Sequence, residues 1–446
     1  MDEQEKKFRE MTEPPVEKLI CRLAVPCIIS MLVTAMYNMV DTFFVGQLDS
    51  NAATGAVGVV FSMMAVIQAV GFFFGQGSGT FISRALGQKD YDSAREMAAT
   101  GFFSALAIGA VICLVGQIFL KDLSVLLGAT DDMLVETEAY LQVILLGAPF
   151  MVSSFVLNNQ LRFQGSASYA MVGICTGAVV NTVLDPVLIF GCNLGVAGAA
   201  WATILSQIIS FVLLLVGCAR GSNIRISIRN FRFRGHYYYM ILRGGLPSLA
   251  RQCLSSLATI CLNHAAKPYG VEAIAAMGVV QRIVMFGAST MLGFGQGFQP
   301  VCGFNYGAGF YDRVKKGFWF CVKVSTCALV AFGALGFLFS EDLIRLFRND
   351  PKVVEYGALA LKLQCITFPT HGWIVMSNML QQSTNKTIPA TFLSVARQGL
   401  FFIPIVLILP LAFDMLGVQM AQSCADVLTF VCALPIQFYI LKKMKK

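Results

Sequence analysis

The chain has 446 residues, of which 56% are hydrophobic and 13% charged, and its formal net charge is +8. A soluble domain carries roughly 25% charged residues, so a chain this poor in charge cannot cover a water-facing surface. The composition therefore excludes an ordinary soluble protein. Because the basic residues lie in short loops between apolar runs, the positive charge indicates membrane topology rather than nucleic-acid binding.

The chain begins with a charged segment and continues with twelve apolar runs. Most of these runs reach the roughly 20 residues that a helix needs to cross a bilayer, and the first segment lacks the apolar region of a signal peptide. We predict an all-α polytopic membrane protein, with twelve transmembrane helices in two pseudo-symmetric six-helix bundles. The predicted parts are a cytoplasmic N-terminal segment (1–19), an N-lobe (20–219), a basic cytoplasmic linker (220–239), a C-lobe (240–441) and a cytoplasmic basic tail (442–446).

The loops alternate sharply in charge. The N-terminus, the even-numbered loops and the C-terminus hold 21 Lys and Arg residues, whereas the odd-numbered loops hold five. Because basic loops stay in the cytoplasm, we expect both termini to be cytoplasmic and the protein to be integral to the plasma membrane.

The second half of the chain repeats the first at a constant offset in sequence number. The segment GQGSGTFISRALGQKDYDSARE begins at Gly75, GQGFQPVCGFNYGAGFYDRVKK begins at Gly295, and six of the 22 positions are identical. Six helices per half is an even number, so both halves insert the same way up, as in transporters built from parallel repeats. Two such lobes can rock about a central cleft, which is the geometry of alternating access.

Two acids in the N-half stand out, because an ionised side chain inside the membrane needs an explanation. Asp41 and Asp185 lie at similar depth near the outer ends of predicted helices 1 and 5. Each has a polar neighbour one turn earlier, Tyr37 and Asn181, and Thr203 on helix 6 reaches a similar depth. Two carboxylates in a low dielectric cannot both ionise cheaply, so this set predicts a site for a proton or a sodium ion.

Two simpler interpretations of these residues stay open. Asp41 and Asp185 could be unrelated acids with separate partners, although the N-half spans contain almost no Lys or Arg. Pro26 in helix 1 and Pro186 after Asp185 each remove a backbone donor and kink a helix. Such a kink is either a hinge that responds to Asp41 or a static bend.

The C-half lacks these acids and is rich in cations. Its one acid within an apolar span is Asp426, and Arg282 and Arg397 are the candidate partners for a structural charge pair. We therefore predict that ion coupling belongs to the N-half and that the C-half has another duty.

Three strings together resemble the multidrug and toxic compound extrusion family over essentially the whole chain: PCIISMLVTAMYNMVDTFFVGQL, NTVLDPVLIFGCNLGVAGAAWAT and GQGFQPVCGFNYGAGFYDRV. The resemblance implies export of amphiphilic, often cationic, drugs in exchange for protons or sodium, with no cofactor. It is closest to the DinF-like branch, whose N-lobe cation site maps onto Asp41, Asn181, Asp185 and Thr203. In that branch Tyr37 would line the cavity and Pro26 would lie at the bend of helix 1.

Two alternative functions remain beside the antiporter. A flippase for lipid-linked precursors or anionic lipids would suit the cations of the C-half. An intramembrane enzyme would need metal ligands such as HExxH or a nucleophile–base pair, and neither motif is present; the fourteen cysteines likewise show no metal-binding spacing. The expected partners are small amphiphilic substrates and the lipid bilayer, and two lobes in one chain make a monomer sufficient.

Overall fold

The computed structural model describes residues 3–47 and 51–444, and at positions 3, 38, 41, 42, 46, 51 and 54 it describes the backbone alone. The described residues are almost entirely helical and include no strand. A short helix, Glu3–Thr12, precedes the first long one.

The N-lobe contains six long helices. They are α1 (Val16–Gly46), α2 (Asn51–Gly87), α3 (Tyr91–Ile118), α4 (Leu134–Phe163), α5 (Ala167–Pro186, continued by a π-helical turn over Val187–Gly191) and α6 (Gly195–Cys218). A short helix, Leu120–Leu126, and a 3₁₀ turn, Asp131–Met133, lie between α3 and α4.

The C-lobe contains six more. They are α7 (Gly235–Ala266), α8 (Val271–Gly307), α9 (Tyr311–Leu338), α10 (Pro351–Ser383), α11 (Thr387–Val395, π-helical over Ala396–Phe401, then Phe402–Ile408) and α12 (Pro410–Lys443). A short helix, Ser340–Phe347, lies between α9 and α10, and 3₁₀ turns Ile228–Asn230 and Lys267–Tyr269 lie on either side of α7. Non-helical dihedral angles at Phe413 and Asp414 mark the turn from which α12 proper begins. The prediction of twelve membrane helices in two bundles is confirmed.

The sequence repeat is matched by a repeat in the structure. Helices α2 and α8 begin at Asn51 and Val271 and end at Gly87 and Gly307, so both their starts and their ends differ by the offset between the two GQG segments. Helices α3 and α9 have the same relationship at both ends, and a short helix follows each of them. The duplicated sequence therefore builds the same series of helices in each lobe.

Helices α7 and α10 are less apolar than the others. Ten segments of the described residues are long and apolar enough to span a bilayer on composition alone, and these two are not among them. Helix α7 contains Arg243 and Arg251, and α10 contains Lys362 and His371. Charged residues in a membrane helix generally face the protein interior or a polar cavity, so these two helices are expected to carry functional polar faces.

The two lobes pack tightly at the end that carries both chain termini. Gly77 on α2 lies against the backbone of Ile241 on α7, and Gly297 on α8 lies against the backbone of Ala24 on α1. Gly77 and Gly297 are the third residues of the two repeated GQG triplets. A Cβ at either position would collide with main chain, so glycine is needed for this close approach.

Polar contacts also cross between the lobes at this end. Gln299 Nε2 donates to Gln76 Oε1 at 3.4 Å, and Arg84 Nη1 donates to the carbonyl oxygen of Ser383 at 2.8 Å. Buried polar groups require partners, so these contacts stabilise the closed arrangement and depend on the lobes staying together.

Candidate cation-coupling site

Three of the predicted site residues meet between α5 and α6. The side chains of Asn181, Asp185 and Thr203 are each 0% exposed. Asn181 Nδ2 lies 3.4 Å from Asp185 Oδ1 and 3.5 Å from Thr203 Oγ1. With the amide turned over, Nδ2 lies 3.2 Å from Asp185 Oδ2 and the amide oxygen accepts from the backbone N–H of Thr203 at 3.3 Å. In either orientation Asn181 links the buried carboxylate to the neighbouring helix.

Local sequence explains this meeting. Asn181 and Asp185 are four residues apart on α5, so they share one helix face. Gly177, one turn earlier, has only the backbone oxygen of Ser206 and the side chain of Ser210 within 3.6 Å of where a Cβ would be, which lets α6 approach. Pro186 then ends the regular helix and a π-helical turn follows it, a feature often found at functional sites.

Asp41 lies on α1, which packs against α5. The side chain of Asp41 falls outside the described residues, so the predicted meeting of Asp41 with Asp185 stays a prediction. Among the described side chains, no group of three or more His, Cys, Asp or Glu residues could hold a metal ion.

Tyr37 lines a cavity of the N-lobe that holds about 870 Å³ of empty space, including its open mouth. Its walls combine apolar side chains with amides and hydroxyls: Phe61, Met64, Gln68, Met151, Ser154, Phe155, Asn158, Ser206, Gln207 and Ser210 are among them. Ser206 Oγ donates to the carbonyl oxygen of Thr203 at 2.7 Å, which connects the cavity wall to the buried cluster. Sequence analysis missed Gln68, Ser206 and Gln207, although polar residues inside apolar spans were the available signal.

Pro26 lies inside an unbroken α1, about one third of the way along it, and is buried. Ser30 Oγ donates to the carbonyl oxygen of Pro26 at 2.8 Å, as hydroxyls often do where a helix bends. The neighbouring residues Ala24 and Cys27 contact Gly297 and Gly293 of the other lobe. Pro26 therefore lies where α1 crosses the interface between the lobes.

The C-lobe holds a separate charge cluster. Of the two partners that the sequence offered for Asp426, the structure places Arg397 beside it, with Nε 2.9 Å from Oδ1, whereas Arg282 is exposed on α8 and makes no salt bridge with Asp426. His371 Nε2 lies 2.7 Å from the other carboxylate oxygen, and Gln422 Nε2 donates to Oδ1 at 3.0 Å. Sequence analysis did not predict the role of His371, because residues 371 and 426 are far apart in the chain.

A model of the MatE family matches residues 26–187 and 247–408, one match in each lobe. The chain belongs to the MatE family. Among its relatives, the multidrug export protein MepA of Staphylococcus aureus (strain NCTC 8325 / PS 47) is 27% identical over 434 residues, which are 96% of this chain and 95% of MepA. MepA of Staphylococcus saprophyticus is 27% identical over 432 residues, with the same coverage of 96% and 95%.

Solved MATE structures have the same fold. A MATE protein in its straight conformation is 25% identical and superposes with a TM-score of 0.92, covering 99% of both chains. A MATE protein in its bent conformation is also 25% identical with a TM-score of 0.92, covering 99% of this chain and 98% of that one. This MATE protein is accordingly an integral membrane transporter for small substrates and not an enzyme, and its family uses ion gradients without a cofactor.

Proposed function

We propose that this MATE protein is an antiporter that exports amphiphilic, often cationic, small molecules in exchange for protons or sodium ions. Coupling is assigned to Asp41, Asn181, Asp185 and Thr203. The observation that carries the proposal is the fully buried carboxylate of Asp185. The amide of Asn181 contacts this carboxylate and also links it to the hydroxyl of Thr203, close to an open cavity with largely apolar walls.

A buried carboxylate must gain a proton or a cation to be stable away from water. The loaded and unloaded sites therefore favour different arrangements of α1, α5 and α6. A substrate that binds the same lobe better in one arrangement is then coupled to the ion, because each ligand shifts the balance between the two states. Pro26 is proposed as the hinge at which α1 bends when Asp41 gains or loses its ion.

Both candidate ions suit the chemistry of this cluster. A proton needs only one carboxylate. Sodium is a hard cation that takes oxygen ligands, and Asn181, Asp185 and Thr203 each offer one. The choice between the two ions is therefore an outcome of the experiment described below.

The direction of transport follows from the orientation of the chain. With both termini in the cytoplasm of the cell, the end at which the lobes pack together faces inward and the cavities open outward. This conformation is the one from which an exporter releases its substrate. The single chain holds both lobes, so a monomer in the plasma membrane is sufficient for the cycle.

The test uses purified protein in liposomes preloaded with ethidium. Efflux is measured under an imposed pH gradient, an imposed sodium gradient or neither. Efflux under one gradient alone supports the proposal and identifies the ion. Dye movement equal to that of protein-free liposomes under both gradients would contradict it.

A flippase for lipid-linked anionic head groups is a second candidate, and the cations of the C-lobe favour it. In reconstituted vesicles such a protein would move a fluorescent anionic lipid between leaflets without any ion gradient. The antiporter proposal predicts no such movement.

A further inference from the structure

The C-lobe contains its own cavity, lined mainly by α7, α8, α10 and α11. It holds about 1600 Å³ of empty space, including its open mouth. The apolar part of its wall includes Met285, Phe368 and Phe402. The polar part combines amides and hydroxyls with three basic residues, Arg251, His371 and Arg397. A cavity with broad apolar walls and a few fixed charged groups is typical of a binding site for an amphiphilic molecule.

Arg251 carries a charge that the cavity does not neutralise. Within the described residues, no side chain forms a salt bridge or a hydrogen bond with its guanidinium group. Two further arginines lie near enough to repel it electrostatically: Arg397, which lines the same cavity, and Arg162 of the N-lobe. A guanidinium group that lies within the membrane region without an acidic partner raises the free energy of the protein, and a bound anion would lower it.

Among the described residues, the one carboxylate that contacts side chains lining the cavity already has partners. Asp426 is 1% exposed and lies behind Arg397, with its two oxygens bound by Arg397 Nε at 2.9 Å and His371 Nε2 at 2.7 Å. Arg397 Nη2 is turned towards His371, at 3.1 Å. Asp426 neutralises Arg397, so the positive charge of Arg251 in the cavity wall is left without a counter-charge.

The fold holds these two arginines on adjacent helices. Arg397 lies in the π-helical part of α11, where the helix is widened. In the same turn Gly399 packs against Leu254 of α7, three residues from Arg251. A Cβ at position 399 would lie 3.0 Å from that leucine, so the glycine lets the two helices approach closely.

The charge belongs to the C-lobe alone. At the repeat offset that relates Gly75 to Gly295, Arg251 corresponds to Met31 and Arg397 to Gly177 in the N-lobe. Among the described residues that line the N-lobe cavity, which include Gly177, none is charged. The polar groups of the N-lobe cavity are amides and hydroxyls, whereas the C-lobe cavity also contains arginines. The two cavities therefore favour different ligands.

We propose that the C-lobe cavity binds an organic anion that carries one negative charge on an apolar body. The anionic group accepts hydrogen bonds from the guanidinium group of Arg251. The apolar body lies against Met285, Phe368 and Phe402. The source of such an anion is either a soluble amphiphile, such as a carboxylic acid, or an anionic lipid of the surrounding bilayer. This site is independent of ion coupling in the N-lobe and is tested by binding alone.

The test compares a fluorescent probe, 11-(dansylamino)undecanoic acid, with its uncharged methyl ester. Full-length protein is placed in nanodiscs of phosphatidylcholine, and empty discs correct for partition into lipid. A hydrogen bond to a charged group contributes about 1.5–3 kcal/mol, so we expect the acid to bind roughly tenfold or more tightly than the ester. Arg251→Gln should abolish this preference, and Arg251→Lys should keep most of it.

Arg282→Gln is the matched control, because it removes an exposed arginine of the same lobe and should leave the preference unchanged. Equal affinity of the wild-type protein for acid and ester overturns the proposal, and so does an undiminished preference in Arg251→Gln. A further arm replaces part of the phosphatidylcholine with phosphatidylglycerol. Competition by that lipid identifies a lipid head group as the source of the anion, and its absence identifies a soluble amphiphile.

Discussion

Asn158 and Asn378, which correspond to each other in the repeat, form the same hydrogen bond in the two lobes. Asn158 Nδ2 donates to the carbonyl oxygen of Ala170 at 3.2 Å, and Asn378 Nδ2 donates to that of Ala390 at 2.7 Å. Both asparagines line the cavity of their lobe. The duplication has therefore kept the polar bond that joins neighbouring helices, while other residues that line the two cavities, such as Gly177 and Arg397, have diverged.

The first prediction concerns orientation in the membrane. In a cysteine-free variant, a single cysteine at position 228 in the basic linker should resist a membrane-impermeant thiol reagent in intact cells. One at position 130, between α3 and α4, should react. The expectation rests on the 21 basic residues of the N-terminus, even-numbered loops and C-terminus against five in the odd-numbered loops. Labelling of position 228 from outside would reverse the assigned direction of transport.

The second prediction concerns the glycines between the lobes. Gly77→Ala and Gly297→Ala should force the lobes apart at the end that carries the termini, because the new Cβ meets backbone atoms. Cys27 is buried at this interface. With Cys27 as the only cysteine, its alkylation by a maleimide should become several-fold faster in either variant.

The repeat supplies a matched control for this experiment. Gly58 and Gly278 lie on the same two helices and also correspond in the repeat, and nothing lies within 4 Å of a Cβ at either position. Alanine there should stabilise the helix by up to about 1 kcal/mol and leave the labelling of Cys27 unchanged. If the control and the interface variants label at the same rate, the glycines do not determine lobe packing.

The third prediction concerns the charge cluster of the C-lobe. Arg397→Met strands the buried carboxylate of Asp426 and should lower the free energy of unfolding by about 3–5 kcal/mol. Asp426→Leu should cost less, because Arg397 lines the open cavity and its guanidinium group can be hydrated there. Arg397→Met combined with Asp426→Leu should recover much of the loss, and Arg282→Met should be nearly neutral. Thermal unfolding in detergent measures all four variants; strict additivity of the two single losses would show that the pair is not coupled.

The fourth prediction concerns the short helix Glu3–Thr12. Lys7 Nζ donates to Ser166 Oγ at 3.1 Å and to Asn223 Oδ1. Burial disfavours the charged form and lowers the pKa of Lys7 from 10.5 to about 8. When the helix is released into water, Lys7 therefore holds its proton more tightly. It follows that docking of the helix is weakest below about pH 8 and strengthens as the pH rises from 8 towards 10.5.

Hydrogen exchange of the helix, corrected for the intrinsic rate at each pH, measures this effect. Protection should increase from about pH 7 to about pH 9.5 in the wild-type protein. Lys7→Met should remove the pH dependence, whereas Lys6→Met, at an exposed position, should keep it. Protection that falls as the pH rises would contradict the partly buried position of Lys7.

Much of the fold follows from the sequence because the bilayer allows few solutions. Apolar runs of sufficient length must become helices, and the duplicated GQG segments predict the two-lobed arrangement. Helices α7 and α10 were predicted with the other ten, although the charged residues in these two segments lower their hydropathy below that of the ten segments that qualify on composition alone. A charged residue makes insertion of such a helix into the bilayer less favourable, and packing of that residue inside the protein offsets this effect.

The candidate site was partly predictable. The spacing of Asn181 and Asp185 on one helix face and the depth of Thr203 predicted a cluster, and these three residues do lie together. The partner of Asp426 was not determined by the sequence, because the choice between Arg282 and Arg397 depends on how α8 and α11 turn within the lobe. The unneutralised position of Arg251 likewise depends on packing across four helices.

The most direct measurement of the coupling proposal is gradient-driven efflux by an Asp185→Asn variant in liposomes. Asparagine keeps the size and the hydrogen bonds of the side chain but cannot exchange a proton or attract a cation. Efflux should fall to the level of protein-free liposomes while drug binding in detergent survives and no longer responds to pH or sodium. Asp185→Glu should retain partial efflux, and Asp92→Asn, at an exposed position, should behave as wild type. Wild-type efflux by Asp185→Asn would show that the N-lobe cluster is not the coupling site.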